Sequence, residues 1–268
     1  GPCPVIYDLF RFLVGSKLYD NKLSIAKITK AYLDGLKQNP YPQPATIHEM
    51  MTKAIKKGRK PSDKKVQNDK LIRDDQMRDV DSTEELHITK ALTNIFENLE
   101  PSHFQILDLV ATTKVGGGSG GLLRYEVLIL NNKIVLHLEF KEQTRPGTYP
   151  VLQSIPPVQE KMRMAINYSQ GPTASKLYQI SRIKSKNMII RPKFAGNVGV
   201  KLDKIPPDER NELLHFEANT LGLIHSRSIK NLTDWIKLIE STSNKDLEKE
   251  VDLMRDYFHK KYIQLKKF

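Results

Sequence analysis

Cysteine is almost missing from this 268-residue chain: Cys3 stands alone, so no internal disulfide and no thiolate zinc site can form, and a reducing compartment is expected. Long apolar runs are missing as well. None approaches the roughly 18 residues that span a bilayer, and no basic stretch with an apolar core and cleavage site opens the chain, so neither membrane insertion nor secretion is expected. The expected location is intracellular, either bacterial cytoplasm or eukaryotic nucleus. The seven histidines are scattered without a His-x-x-x-His pair, which disfavours a zinc enzyme. Acidic residues fall short: 31 Asp and Glu face 43 Lys and Arg, a formal charge of +12. Such an excess makes a positive field that draws phosphate backbones or acidic surfaces, and nucleic acid, DNA before RNA, is the expected partner.

Four stretches follow along the chain. Residues 1–60 read as helical, with helices over 5–14, 24–36 and 46–57 and a Pro-rich turn at 39–44. The basic end of the third helix, with Lys53, Lys56, Lys57, Arg59 and Lys60, fits either a helix-turn-helix near phosphate or a helical pair with a solvated end. Residues 61–81 are dense in both charges and poor in apolar side chains, which predicts a linker or an exposed helix. Residues 82–205 form an α/β core. Ser82-Thr83-Glu84-Glu85 predicts a capping box opening a helix with an inward stripe of Ile88, Ala91, Leu92, Ile95 and Phe96. Strands are expected over 104–113, 122–130 and 134–142, the last two joined at Asn131-Asn132-Lys133 as a hairpin. A helix from 157 to 168 and strands over 188–191 and 198–202 follow. Residues 206–268 are helical, and 245–267 would dock a protein partner or a second copy of the chain. Gly1-Pro2 has the form of a protease scar, and 116–121, Gly-Gly-Gly-Ser-Gly-Gly, reads as a natural loop or an engineered linker. It lacks the Lys-Ser/Thr ending of a P-loop.

The third expected strand carries the most pointed chemistry. Glu139 and Lys141, two residues apart, share a strand face. Glu126 lies on the partner strand, where a hairpin brings two acids side by side, as a hard divalent cation needs. The other reading of Glu139 and Lys141 is a solvated face with cross-strand charge pairs. Helix, three strands with an acid on the second and Glu-x-Lys on the third, then helix and strand resembles the PD-(D/E)XK nucleases over about residues 82–202. The resemblance implies a restriction-endonuclease-like α/β (α+β) fold, a mixed sheet flanked by helices. It also implies phosphodiester hydrolysis with Mg²⁺ or Mn²⁺, with Glu126 and Glu139 as metal ligands and Lys141 as the catalytic lysine. Glu84 is the helix acid that the family often adds, while Glu85 is read as the capping residue. The family usually has Asp at the position of Glu126, and Asp108 on the first strand is the alternative metal ligand. His137 shares the Glu139 face.

Lys176, Arg182, Lys184, Lys186, Arg191 and Lys193 form the densest basic run after this site and are the expected phosphate track. A metal-dependent endonuclease is thus the first functional expectation. A non-catalytic nucleic-acid-binding or assembly scaffold, a degenerate nuclease fold, is the alternative.

Overall fold

The computed structural model describes residues 5–97, 104–113, 120–144, 157–171, 175–197, 199–200 and 202–265. The Gly-rich stretch at 116–119 and the ends of the chain lie outside them. The chain divides into two compact units, residues 50–199 and the flanking 3–49 with 200–268.

The flanking unit is helical. It contains α1 (Val5–Tyr19), α2 (Ile25–Leu36), α6 (Pro207–Ser226), α7 (Leu232–Ser241) and α8 (Asn244–Leu265). The two helical stretches that the sequence set apart therefore share one core, in which Leu9, Leu13, Ile25, Ile28 and Leu36 pack with Leu214, Ala218 and Val251. Each fully buried aliphatic side chain of this kind contributes roughly 1.5–3 kcal/mol. The α2–α6 contact is close because Gly35 and Gly222 meet there: a Cβ on Gly35 would strike the carbonyl of Asn219, and one on Gly222 the carbonyl of Tyr32.

The unit of residues 50–199 is α+β. Its six-stranded sheet has the order β3 (Met77–Arg78), β4 (Phe104–Thr113), β5 (Leu123–Asn131), β6 (Ile134–Gln143), β8 (Lys186–Pro192), β7 (Gln179–Ile183). Every described neighbouring pair is antiparallel, in place of the mixed sheet that the resemblance implied. The β5–β6 hairpin turns at Asn132 and Lys133, both with positive φ, as a tight two-residue turn requires. Helix α4 (Ser82–Glu97) lays Ile88, Ala91, Leu92, Ile95 and Phe96 on the face formed by Tyr125, Val127, Leu138, Phe140, Met188 and Ile190. Helix α5 (Val158–Gln170) also belongs to this unit.

Three expectations change. The capping residue of α4 is Asp81 and not Ser82: Asp81 Oδ1 accepts from the Glu84 backbone N–H at 2.8 Å, and Glu84 Oε2 accepts from the Asp81 N–H at 3.1 Å. The reciprocal box thus employs Glu84, the residue read as free for a site, one register earlier than expected. The stretch 61–81 is not a linker. Val66–Gln67 (β1) and Lys70–Leu71 (β2) pair across Asn68 and Asp69, both at positive φ, and Met77–Arg78 joins the sheet edge. One side chain explains how so polar a stretch is held, since Leu71 is buried against Val110 and Leu128. Finally, the strand expected at 198–202 gives way to a 3₁₀ turn at Leu202–Lys204, with 198 and 201 outside the described residues.

Among the described residues, no helix is long and apolar enough to cross a membrane. Helix α3 (Ala45–Lys57) has no fully buried residue.

Candidate nucleic-acid interface

Antiparallel register assembles the site. On β5 and β6, Glu126 stands opposite Glu139, Arg124 opposite Lys141, and Leu128 opposite His137; across the β6–β8 ladder, Arg191 faces Glu139. Alternation then sends all of these side chains to the sheet face away from α4. One more backbone bond, Lys193 N–H to His137 O at 2.8 Å, extends the ladder and brings Lys193 onto that face.

This face is not a solvated one. Glu126 is 7% exposed, Glu139 1% and His137 1%, which overturns the reading of Glu139 as a surface charge. Ionised carboxylates at such depth need partners, and both have them. Glu126 Oε1 accepts from Lys193 Nζ at 2.6 Å, and Oε2 lies 2.8 Å from the same ammonium and 2.6 Å from His137 Nε2. Glu139 accepts from Arg124 at 2.8 Å through Oε1 and from Arg191 Nε at 2.7 Å through Oε2. Burial pushes the Glu126 carboxyl up, but the His137 bond and the Lys193 charge outweigh it and bring it down to about 2. Lys141, partly buried, lies two positions along from Glu139 on the same face.

The arrangement brings together Glu126, Glu139 and Lys141 as expected, and leaves Glu84 out. Glu84, in the first turn of α4, meets the opposite face of the sheet, where the Tyr125 hydroxyl donates to it at 2.8 Å and Arg78 at 2.7 and 2.8 Å. The reason is strand alternation: Tyr125 and Glu126 are consecutive and point opposite ways. The Arg78 bonds hold the Glu84 carboxyl at about 2 against the opposing effect of burial. Asp108 is on the Glu126 side of β4 but is committed elsewhere, accepting from Leu71 N–H at 2.7 Å and from Arg73 at 2.8 and 3.1 Å. Burial pushes its carboxyl up, and the Arg73 and backbone bonds draw it below the usual range.

A divalent ion does not fit this donor set. All four oxygens of Glu126 and Glu139 already accept from nitrogen donors. Two carboxylates, moreover, face three basic side chains, Arg124, Arg191 and Lys193, so basic groups outnumber acidic ones before any metal enters. Among the described residues no group of three Asp, Glu, His or Cys could hold an ion.

Four members of the expected phosphate track have carboxylate partners. Lys184 is tied to Asp81 at 2.6 Å, Lys186 to Glu142 at 2.6 Å, Arg191 to Glu139 and Lys193 to Glu126. Lys176 and Arg182 are exposed. The basic surface forms elsewhere, as a cleft of about 660 Å³ lined by Lys56, Lys57, Lys60, Lys64, Lys65 and Lys193, with His137 at its buried end and Asp63 its one acid. Backbone bonds from Ala195 N–H to Lys60 O at 2.8 Å and from Gly196 N–H to Gly58 O at 3.2 Å tie the two walls. Gly196 is required there because a Cβ would press on the carbonyl of Ala54 at 2.6 Å. Lys60 pairs with Asp63 at 3.5 Å, whereas Lys56, Lys57, Lys64 and Lys65 have no carboxylate partner among the described residues. Lys64 and Lys65 were missed because they sat in the supposed linker; the run Arg59-Lys60 to Lys64-Lys65 was the signal that could have found them.

No protein-family model, no curated protein and no solved structure matches the chain.

Proposed function

We propose that this protein binds nucleic acid through its phosphate backbone at the lysine cleft, acting as a binder and not as a cutter. The observation that carries the reading is the gathering of six lysines around one cleft, four of them without a carboxylate partner among the described residues. Ammonium groups gathered around a hollow attract a polyanion and release its counterions when it docks. The cleft offers six lysines against two aromatic rings, Phe194 and the buried His137, and one amide, Asn197, so backbone contact outweighs base reading.

The test is fluorescence anisotropy of a labelled DNA duplex, with an RNA duplex of the same sequence beside it, titrated at several salt concentrations. Log affinity should fall linearly with log salt, by about 0.9 per phosphate neutralised. Changing Lys56, Lys57, Lys64 and Lys65 together to Ala should flatten that slope by several units; an unchanged slope rejects the cleft as the binding surface.

A second reading, the metal-dependent nuclease, draws on one observation: Glu126 and Glu139 are direct cross-strand partners with Lys141 on their face. It requires Arg124, Arg191 and Lys193 to release the carboxylates. Plasmid cleavage with Mg²⁺ or Mn²⁺ and not with EDTA would favour it over the binder.

A further inference from the structure

Buried acids facing each other across two strands repel unless a cation stands between them. Here the nearest bridging cation belongs to the chain: Lys193 Nζ lies 2.6 and 2.8 Å from the two oxygens of Glu126 and 3.9 Å from Glu139 Oε1. An ammonium has three N–H donors. Glu126 takes two, and 3.9 Å is too long for Glu139 to take the third. Lys193 also lines the cleft, with its side chain 27% exposed.

We infer that the Lys193 ammonium occupies the cation position of this two-carboxylate site in place of a divalent ion, and serves as the fixed phosphate anchor of the cleft, with Glu126 as its positioning residue. The inference rests on the nucleic-acid reading above and adds to it a division of labour. The other lysines of the cleft supply long-range attraction, and each loses side-chain freedom when a phosphate fixes it. Lys193 is fixed beforehand by Glu126, which His137 orients in turn, so its contact carries a smaller ordering cost. Arg124 and Arg191 hold Glu139 and keep basic groups in excess of acidic ones, which favours an anion over a second cation.

The consequence runs against simple charge counting. Removing the negative charge of Glu126 from a basic cleft should strengthen anion binding if charge alone matters, and should weaken it if Glu126 positions Lys193. Duplex DNA affinity is measured by anisotropy, in EDTA and in Mn²⁺, for the unaltered protein, Lys57→Gln, Lys193→Gln and Glu126→Gln. The expected result is no gain of affinity in Mn²⁺ over EDTA, a loss of about tenfold for Lys193→Gln and for Glu126→Gln, and a smaller loss for Lys57→Gln. Glu126→Gln binding as tightly as the unaltered protein, or tighter, overturns the inference while leaving the binder intact. So does stoichiometric Mn²⁺ uptake by the unaltered protein in electron paramagnetic resonance. Absence of salt-dependent binding by the unaltered protein is a separate result, and defeats the nucleic-acid reading itself. Should Glu126→Gln fail to fold, lysine acetylation of the unaltered protein, read by mass spectrometry with and without duplex, decides. Protection of Lys193 by DNA supports the assignment, and unchanged Lys193 reactivity overturns it.

Discussion

Glu126 and Glu139 stand directly opposite each other on neighbouring antiparallel strands, and Lys193 Nζ reaches toward both, at 2.6 Å and 3.9 Å. Like charges so placed destabilise a sheet. Their survival in a buried position depends on the cations wrapped around them, and much of what the protein should do under mutation follows from that dependence.

Glu139→Ala should destabilise residues 50–199 strongly. It removes one carboxylate partner of Arg124, whose side chain is 15% exposed, while Arg191, at 43%, can turn to water. Losing one partner of a buried pair costs about 3–5 kcal/mol, and the exposed Arg191 argues for the lower end. Urea unfolding should show a lower midpoint with an unchanged slope.

Acid should weaken the fold through Glu126 and Glu84, whose folded values of about 2 lie below the ordinary 4.5. A depressed carboxylate stabilises fully above its unfolded value and ceases to do so as pH falls through its folded one. The affected window therefore runs from about pH 5 down to about pH 2. For Glu126 the effect is worth about 3 kcal/mol. Urea midpoints measured across that window should fall, and Glu126→Gln should flatten the acid limb.

Substituting Lys184 and Lys186 by Ala should leave DNA affinity and its salt slope almost unchanged, because Asp81 and Glu142 already neutralise them. The same change at Lys56 and Lys57 should reduce the slope by about 0.9 for each phosphate that is no longer neutralised. Equal effects at the two pairs would show that the cleft is not the privileged surface.

Gly35→Ala and Gly222→Ala should each destabilise the helical unit, since the added methyl meets backbone carbonyls that cannot rotate away. Overpacking of this kind costs typically about 1–3 kcal/mol. Thermal unfolding followed by circular dichroism should show the destabilisation, with Gly15→Ala, where nothing lies within 4 Å, as the control.

Local pattern carried most of the secondary structure into view. The inward stripe of α4, the Asn-Asn-Lys turn and the alternation of β6 are short-range features, and each appears where periodicity placed it. Where a few contacts from distant parts of the chain decided the outcome, the pattern misled. The charged stretch at 61–81 is ordered because Leu71 reaches a small apolar cluster and Asp108 binds its backbone, partners that no window of neighbouring residues contains. Glu84 looked free for a site because its helical face was legible, while the Asp81 box and the Tyr125 hydroxyl that occupy it were not.

From the order of residues alone come the basic excess, the hairpin and the pairing of Glu126 with Glu139 on one sheet face, because charge and strand period are local quantities. The fate of those carboxylates was left to tertiary structure. Arg191 and Lys193 lie more than fifty residues beyond Glu139 and Glu126, respectively, and only the β6–β8 ladder brings them within hydrogen-bonding reach. Burial then makes that pairing compulsory, since an ionised acid removed from water must be bonded or neutralised.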